Sequence, residues 1–168
     1  MFEEKFTKND MLKLQNILRK LNHTITTAES CTGGLIASRI TSISGSSDIF
    51  HGGIITYANH IKESELNVQK ETMIKYGVVS KEVVKEMLDG VLKKFDANYA
   101  IAVSGVAGPG GGTVNKPVGT VVIGVANNIN FVDVEIYHLK GSRIQIQKQA
   151  TNIALNQILK FLKNCLDK

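Results

Sequence analysis

Three reactive side-chain types occupy consecutive positions in the segment Ala28-Glu29-Ser30-Cys31-Thr32-Gly33-Gly34, which carries a carboxylate, a hydroxyl and a thiol. Residues 24–27 before it are rich in β-branched side chains, which favour a strand, and the apolar residues after it recur at helical spacing. A turn from a strand into a helix directs several free backbone N–H groups at one point. The segment therefore predicts a site for an anion or for a developing oxyanion.

A lysine in a dry cleft can act as the base for a nearby hydroxyl, and Lys62 is a candidate for that role. It follows Tyr57-Ala58-Asn59, where a strand is predicted to end. Burial and a neighbouring positive charge lower the pKa of an amine, so that it can take a proton from a nucleophile. The sequence leaves the partner of Lys62 open among six hydroxyl groups: Ser30, Ser46, Ser47, Thr56, Tyr57 and Ser104.

A glycine-rich segment covers residues 104–113 and follows the continuous apolar run 99–103, which is typical of a buried strand. Glycines let backbone N–H groups approach a phosphate without obstruction by a Cβ atom. The segment has neither the Gly-Lys-Ser/Thr ending of a P-loop nor the helix that a GxGxxG motif opens. We expect an anion-binding loop, with a long surface turn as the alternative; its glycines are Gly105, Gly108, Gly110, Gly111 and Gly112.

For three charged or reactive residues, the sequence allows either a structural or a chemical role. Cys31 lies at a predicted helix N-terminus, which favours a thiolate, but no histidine is suggested beside it, so packing is the preferred interpretation. Glu29 can hold its loop through backbone N–H groups or orient Lys62. Arg143 opens the last predicted helix, where its charge opposes the helix dipole unless it binds a phosphate or carboxylate.

Composition excludes several classes of protein. The net charge of +5 comes from scattered basic residues, and the absence of Trp with 6% aromatic residues argues against nucleic-acid binding. The two cysteines and four histidines show no metal-ligand spacing, so we expect neither a metal nor another cofactor. No apolar run is long enough to span a membrane and no signal peptide is visible, which predicts a cytoplasmic protein.

Helical and strand patterns alternate along the chain, which predicts a single domain over residues 1–168 with a three-layer α/β/α sandwich and a mixed sheet. Ser80 is expected to cap the helix that follows it. The predicted helices begin near residue 9 and cover residues 35–43, two stretches within 59–76, 80–95 and 142–166; the predicted strands cover residues 24–28, 50–57, 99–103, 118–126 and 131–139.

Four blocks of sequence in this order resemble the CinA C-terminal domain family, whose stand-alone members are nicotinamide mononucleotide deamidases. The resemblance extends over roughly residues 9–165. The blocks are residues 28–34; Gly45-Ser46-Ser47 with Phe50, Gly52 and Gly53; Tyr57-Ala58-Asn59 with Lys62; and residues 104–112 with Lys116-Pro117-Val118-Gly119.

The resemblance implies a fold similar to anticodon-binding domains, a homo-oligomer, and metal-independent hydrolysis of nicotinamide mononucleotide to nicotinic acid mononucleotide and ammonia. Lys62 would be the base, Lys62 or Tyr57 would protonate the ammonia, and either Ser47 or Ser30 would be the nucleophile. We narrowly favour Ser47 and assign Ser30 to binding or to the oxyanion. The 5′-phosphate would lie on the glycine loop or on Arg143. The full set of expected substrate-binding residues is Glu29, Thr32, Gly33, Gly34, Ser46, Asn59, Ser104, Gly105, Gly108, Gly110, Gly111 and Arg143.

The chain departs from the family pattern at two places. Ser104 stands where relatives commonly have Thr, and Gln147 stands where a second arginine often follows Arg143 by one helical turn. The second departure favours the alternative of a catalytically silent nucleotide-binding or interaction module. The absence of the N-terminal partner domain of longer family members favours the stand-alone enzyme.

Overall fold

The computed structural model describes residues 5–166, with side chains as far as residue 164. Its helices and strands alternate for most of this length, as the hydrophobic patterns predict. A short 3-10 turn covers Ser46–Asp48. The elements are α1 (Lys8–Leu21), β1 (Ile25–Glu29), α2 (Leu35–Thr41), β2 (Gly53–Ile55), α3 (Asn59–Leu66), α4 (Lys70–Tyr76), α5 (Lys81–Phe95), β3 (Tyr99–Gly105), β4 (Thr120–Asn127), β5 (Val132–His138) and α6 (Arg143–Leu166).

The five strands form one mixed sheet in the order β2-β1-β3-β4-β5. β1 lies parallel to both β2 and β3, and β4 runs antiparallel to β3 and to β5. Because β1 and β2 are parallel neighbours, the segments that follow Glu29 and Ile55 leave the sheet at the same edge. That edge carries the turn that begins at Ser30 and the chain that leads to Lys62.

Two apolar cores separate the sheet from the helices on its two faces, which confirms the predicted three-layer α/β/α sandwich. One core joins the sheet to α1, α2 and α6. The other joins it to α3, α4 and α5. Ser80 caps α5 by accepting a hydrogen bond from the Val83 N–H, as predicted. No helix in the described residues is long and apolar enough to cross a membrane.

The second strand is shorter than the sequence predicts, because only residues Gly53–Ile55 pair with β1. Gly52 and Gly53 mark close approaches of the backbone to its neighbours. A Cβ atom on Gly53 would lie 2.2 Å from Thr27 Oγ1, and one on Gly52 would lie 2.6 Å from the Phe95 ring. Residues 50–52, which the sequence places in the strand, do not pair with β1. Gly52 is held instead by a side chain, because Thr26 Oγ1 donates to its carbonyl oxygen.

A glycine in α5 sets the distance between this helix and α3. A Cβ atom built on Gly90 would lie 2.1 Å from the carbonyl oxygen of Leu66, the last residue of α3. Lys62 lies one helical turn before Leu66 in the same short helix. The close approach at Gly90 therefore positions the helix that carries the candidate base.

We predict that Gly90→Ala destabilises the protein by about 1–3 kcal/mol, the usual cost of overpacking. Alanine in a helix normally stabilises relative to glycine, so a loss would have to come from displacement of α3. Urea unfolding measures the change. The matched control is Lys85→Ala on the exposed face of the same helix, which should change stability by less than about 0.5 kcal/mol. Equal stability of Gly90→Ala and the native chain would contradict the close contact.

Candidate functional site

Ser30 and Lys62 meet at the carboxyl edge of the parallel strands. The Ser30 N–H continues the sheet by donating to Val103 O at 3.0 Å, which fixes the start of the turn. Lys62 Nζ lies 3.3 Å from Ser30 Oγ and donates to the Thr56 carbonyl at 2.6 Å. Of the six candidate hydroxyls, Ser30 is the one whose oxygen lies within hydrogen-bond distance of the lysine amine in the described structure. The geometry therefore selects Ser30 as the partner of Lys62.

The environment of Lys62 disfavours its charged form. The side chain is 1% exposed, and burial lowers its pKa from 10.5 to about 8. In the described part of the chain, no carboxylate lies within ion-pair distance of its amine. A substantial fraction of Lys62 is therefore neutral near pH 8 and able to accept a proton from Ser30.

The carboxylate of Glu29 caps α2 and forms no ion pair with Lys62 in the described residues. Its two oxygens accept hydrogen bonds from the backbone N–H groups of Gly34, Ile36 and Ala37 and from the Thr32 hydroxyl, at 2.7–3.1 Å. These bonds occupy N–H groups at the positive end of the helix. Glu29, the Thr32 hydroxyl and the Gly34 N–H, which the sequence assigns to substrate binding, are thus all engaged in the cap. Gly33 forms the turn itself, with a left-handed φ of 60°.

Ser47 lies at the opposite end of the sheet from Lys62. The Ile25 N–H, at the first residue of β1, donates to Ile49 O at 2.8 Å, so the 3-10 turn that contains Ser47 lies beside the start of that strand. Ser30 follows the last residue of the same five-residue strand. At about 3.3 Å per residue, the strand alone separates the two sites by roughly 16 Å. The preference for Ser47 as nucleophile is therefore wrong for a site within one chain.

Ser46 has a structural role in the same distant turn. Its buried hydroxyl donates to the carbonyl of Ile40 at 2.9 Å and accepts a bond from Gln15 Nε2 at 3.2 Å. These contacts tie the turn to α1 and α2. The expectation that Ser46 binds substrate is therefore wrong for the pocket that Ser30 and Lys62 form.

Arg143 connects three segments around Ser30 and Lys62. Its guanidinium donates to Gly108 O at 2.7 Å and forms a short hydrogen bond with the Tyr57 hydroxyl. Tyr57 follows β2, Gly108 belongs to the glycine loop and Arg143 begins α6. Asn59 is exposed at the first position of α3, two residues from Tyr57. The structure therefore brings Arg143, Tyr57 and the glycine loop together at one opening.

The glycine loop packs directly on the turn that carries Ser30. A Cβ atom on Gly105 would lie 3.0 Å from Cys31 Sγ. None of the backbone N–H groups of residues 107–112 donates to an acceptor within residues 5–166. These N–H groups, including those of Gly108, Gly110 and Gly111, are free to bind an anion. The loop thus has the donors that the sequence predicts for a phosphate site.

Two further contacts hold this loop against the rest of the domain. Ser104, which the sequence assigns to substrate binding, is 1% exposed and donates its hydroxyl to Val78 O at 3.0 Å. Lys116 Nζ donates to Tyr76 O at 2.6 Å and anchors the far end of the loop at the end of α4. The sequence offered no signal for either bond, because both acceptors are backbone carbonyls remote along the chain.

The thiol of Cys31 is unsuited to nucleophilic attack. Its side chain is 5% exposed, and burial raises its pKa from 9.0 to about 12. The protonated thiol is a poor nucleophile. The packing interpretation of Cys31 is therefore the one that the structure supports. In residues 5–166, no group of three His, Cys, Asp or Glu side chains could hold a metal ion.

We predict that Glu29→Gln destabilises the protein by about 3 kcal/mol, because the amide replaces one acceptor oxygen with a donor that faces backbone N–H groups. Urea unfolding gives the change, and amide exchange within α2 should accelerate. The control is Glu135→Gln, which removes an exposed ion pair with Lys81 at 3.2 Å and should cost less than about 1 kcal/mol. Similar losses in the two variants would contradict the capping role.

The family model of the CinA C-terminal domain matches residues 8–162. A CinA-like protein of Fervidobacterium nodosum is 45% identical over 149 residues, which are 89% of this chain and 36% of that protein. A putative competence-damage inducible protein of Clostridium botulinum is 47% identical over 153 residues, which are 90% of this chain and again 36% of the relative. The chain thus spans about a third of the length of these relatives.

Solved structures agree with the sequence matches. The competence/damage inducible protein CihA of Agrobacterium tumefaciens superposes with a TM-score of 0.86 at 35% identity, covering 95% of this chain and 99% of that one. A CinA superfamily protein of Klebsiella pneumoniae gives a TM-score of 0.88 at 29% identity, with 93% and 97% coverage. On both sequence and structure, the chain belongs to the CinA C-terminal domain family.

Proposed function

We propose that this chain is an amidohydrolase that converts nicotinamide mononucleotide to nicotinic acid mononucleotide and ammonia, with Ser30 as nucleophile and Lys62 as base. The observation that carries the proposal is the buried amine of Lys62, 3.3 Å from Ser30 Oγ. The substrate is inferred from the resemblance to the stand-alone deamidases of the family. A homo-oligomer and a cytoplasmic location are further parts of this proposal.

In the first half of the proposed reaction, Ser30 Oγ attacks the carboxamide carbon and its proton passes to neutral Lys62. The carbonyl π electrons move to oxygen, and backbone N–H groups of the turn stabilise the resulting oxyanion, each donor contributing about 3 kcal/mol. The C–N bond then breaks as Lys62 returns a proton to the departing amine, which leaves as ammonia. The product of this half is an ester between Ser30 and the nicotinoyl group.

In the second half, water attacks the ester while Lys62 accepts a water proton. Collapse of the tetrahedral intermediate breaks the bond to Ser30, which regains its proton from Lys62, and nicotinic acid mononucleotide leaves. The pyridinium ring of the substrate carries a positive charge, which would further favour neutral Lys62 in the complex. Tyr57 lies near the opening and is a second possible proton donor to ammonia.

The phosphate of the substrate is proposed to bind where the glycine loop and Arg143 meet. The free N–H groups of residues 107–112 supply neutral donors without side-chain obstruction. One guanidinium nitrogen of Arg143 donates to Gly108 O and another donates to the Tyr57 hydroxyl. These two bonds fix the plane of the guanidinium. The N–H bonds that remain on the guanidinium can contact phosphate oxygens. This arrangement would bind the mononucleotide in preference to free nicotinamide.

We predict that Ser30→Ala and Lys62→Met each lower ammonia release from nicotinamide mononucleotide by at least about 10³-fold, because nucleophile and base act as a unit. Lys62→Met keeps the buried volume, and thermal unfolding checks that it folds. Ser47→Ala is the matched serine control and should retain native activity. Cys31→Ala should remain active as well, since the thiol takes no part.

Each outcome of this experiment bears on one hypothesis. Full activity of Ser30→Ala, or inactivity of Ser47→Ala, would contradict the assigned nucleophile. Loss of activity only in Cys31→Ala would favour a cysteine amidase. Calorimetric binding of the mononucleotide without ammonia release from the native protein would instead support the catalytically silent module.

The pH dependence follows from the pKa of Lys62. Below pH 8 the amine is protonated and cannot accept the Ser30 proton, so kcat/KM should fall about tenfold per pH unit and level off above pH 8. Between about pH 8 and 10.5 the unfolded chain binds more protons at Lys62 than the folded chain does. The free energy of unfolding of the native chain, measured in urea relative to that of Lys62→Met, should therefore rise across that window. A flat difference between the two proteins would contradict the lowered pKa.

A further inference from the structure

The peptide group between Cys31 and Thr32 is held from a distant helix. Gln147 Nε2 donates to Cys31 O at 2.8 Å, across 116 positions of sequence. Gln147 lies one helical turn after Arg143 in α6 and is partly buried. Gln147 takes no direct part in the proposed reaction. Its bond nevertheless ends on the residue that follows the proposed nucleophile.

The other carbonyls of this turn find their donors locally. Ser30 O accepts from the Gly33 N–H at 3.0 Å, and Thr32 O accepts from the Leu35 N–H at 3.1 Å. Within residues 5–166, the Cys31 carbonyl has Gln147 as its donor and no backbone N–H. Rotation of this one peptide is therefore restrained by the glutamine amide and not by the turn itself.

The direction of the Cys31 carbonyl determines the direction of the Thr32 N–H. The peptide is trans, since the only cis bond among the described residues precedes Pro109, so the two groups point in opposite directions. The carbonyl faces α6, which packs on the same side of the sheet as α1 and α2. The Thr32 N–H therefore points away from α6. It has no acceptor within residues 5–166.

We infer that Gln147 is a positioning residue that aims the Thr32 N–H at the carboxamide oxygen on which charge develops when Ser30 attacks. This inference rests on the proposed amidase function. In the attack, the Ser30 oxygen bonds to the carboxamide carbon, its proton goes to Lys62, and the π electron pair moves to the oxygen that faces Thr32. A donor already held in this direction stabilises that oxygen without reorganisation.

The test is the isosteric variant Gln147→Glu, which places a carboxylate oxygen against the Cys31 carbonyl and removes the donor. We expect kcat for ammonia release from nicotinamide mononucleotide to fall by about 10²-fold, the loss typical of one oxyanion donor. KM should change by less than about threefold. In the uncharged variant Gln147→Met, the midpoint of the pH profile should stay near 8, because that variant adds no charge near Lys62. Gln147→Arg retains N–H donors and should retain most of the activity.

The matched control is Gln149→Glu on the same helix. Gln149 Nε2 donates to Lys140 O at the same 2.8 Å distance, but in an exposed position away from Ser30, so this variant should keep native kcat. If thermal unfolding shows that Gln147→Glu does not fold, Gln147→Met is used in its place. This variant removes the donor without adding charge and is expected to show the same loss of kcat. A native kcat in the folded variant, or a rise in KM alone, would overturn the inference.

A second readout separates this inference from the proposed function. The amide resonance of Thr32 should shift in Gln147→Glu but not in Gln149→Glu, whether or not the protein releases ammonia. If the native protein releases no ammonia, the proposed function fails, and a Thr32 shift would still support the positioning contact. An unchanged Thr32 resonance would overturn the inference even if the native protein is active.

Discussion

Among the residues that the structure describes, the buried amine of Lys62 has only uncharged oxygen atoms as partners, and the chemistry of the site depends on this constraint. A carboxylate beside it would restore its charge and remove its ability to accept a proton. The carboxylate of Glu29, the residue before Ser30, is instead bound to the N-terminus of α2. The same side chain therefore orders the turn of Ser30, and within residues 5–166 Lys62 forms no ion pair.

The parallel pairing of β1 with β2 explains how remote residues reach one pocket. Ser30 follows β1, Lys62 follows β2 by one short connection, and the glycine loop follows β3 on the other side of β1. At its carboxyl end, β1 therefore has one of these segments on each side, after β2 and after β3. Arg143 joins these segments through Gly108 and Tyr57, so the opening is bounded by contacts among different elements and not by one loop.

Hydrophobic periodicity was sufficient to predict the layers, because each helix and strand must bury one face regardless of its neighbours. The pairing of Ser30 with Lys62 required the strand order, which local patterns do not encode. The distance between Ser47 and Lys62 within one chain could not be predicted either, because a family block names residues without their position along a strand. The roles of Ser104 and Gln147 were missed because both bond to backbone carbonyls, which are present at every residue and leave no mark in a sequence.

The absence of a side chain at Gly90 has a consequence for how this site can vary during evolution. α3 has eight residues, and its backbone touches Gly90 at Leu66, about 6 Å along the helix from Lys62. A rigid helix this short transmits a displacement at one end to the other. Substitution at Gly90 would therefore change the distance between base and nucleophile, although the residue contacts neither. Selection for catalysis would preserve a glycine that looks, from its surroundings, like a requirement of packing alone.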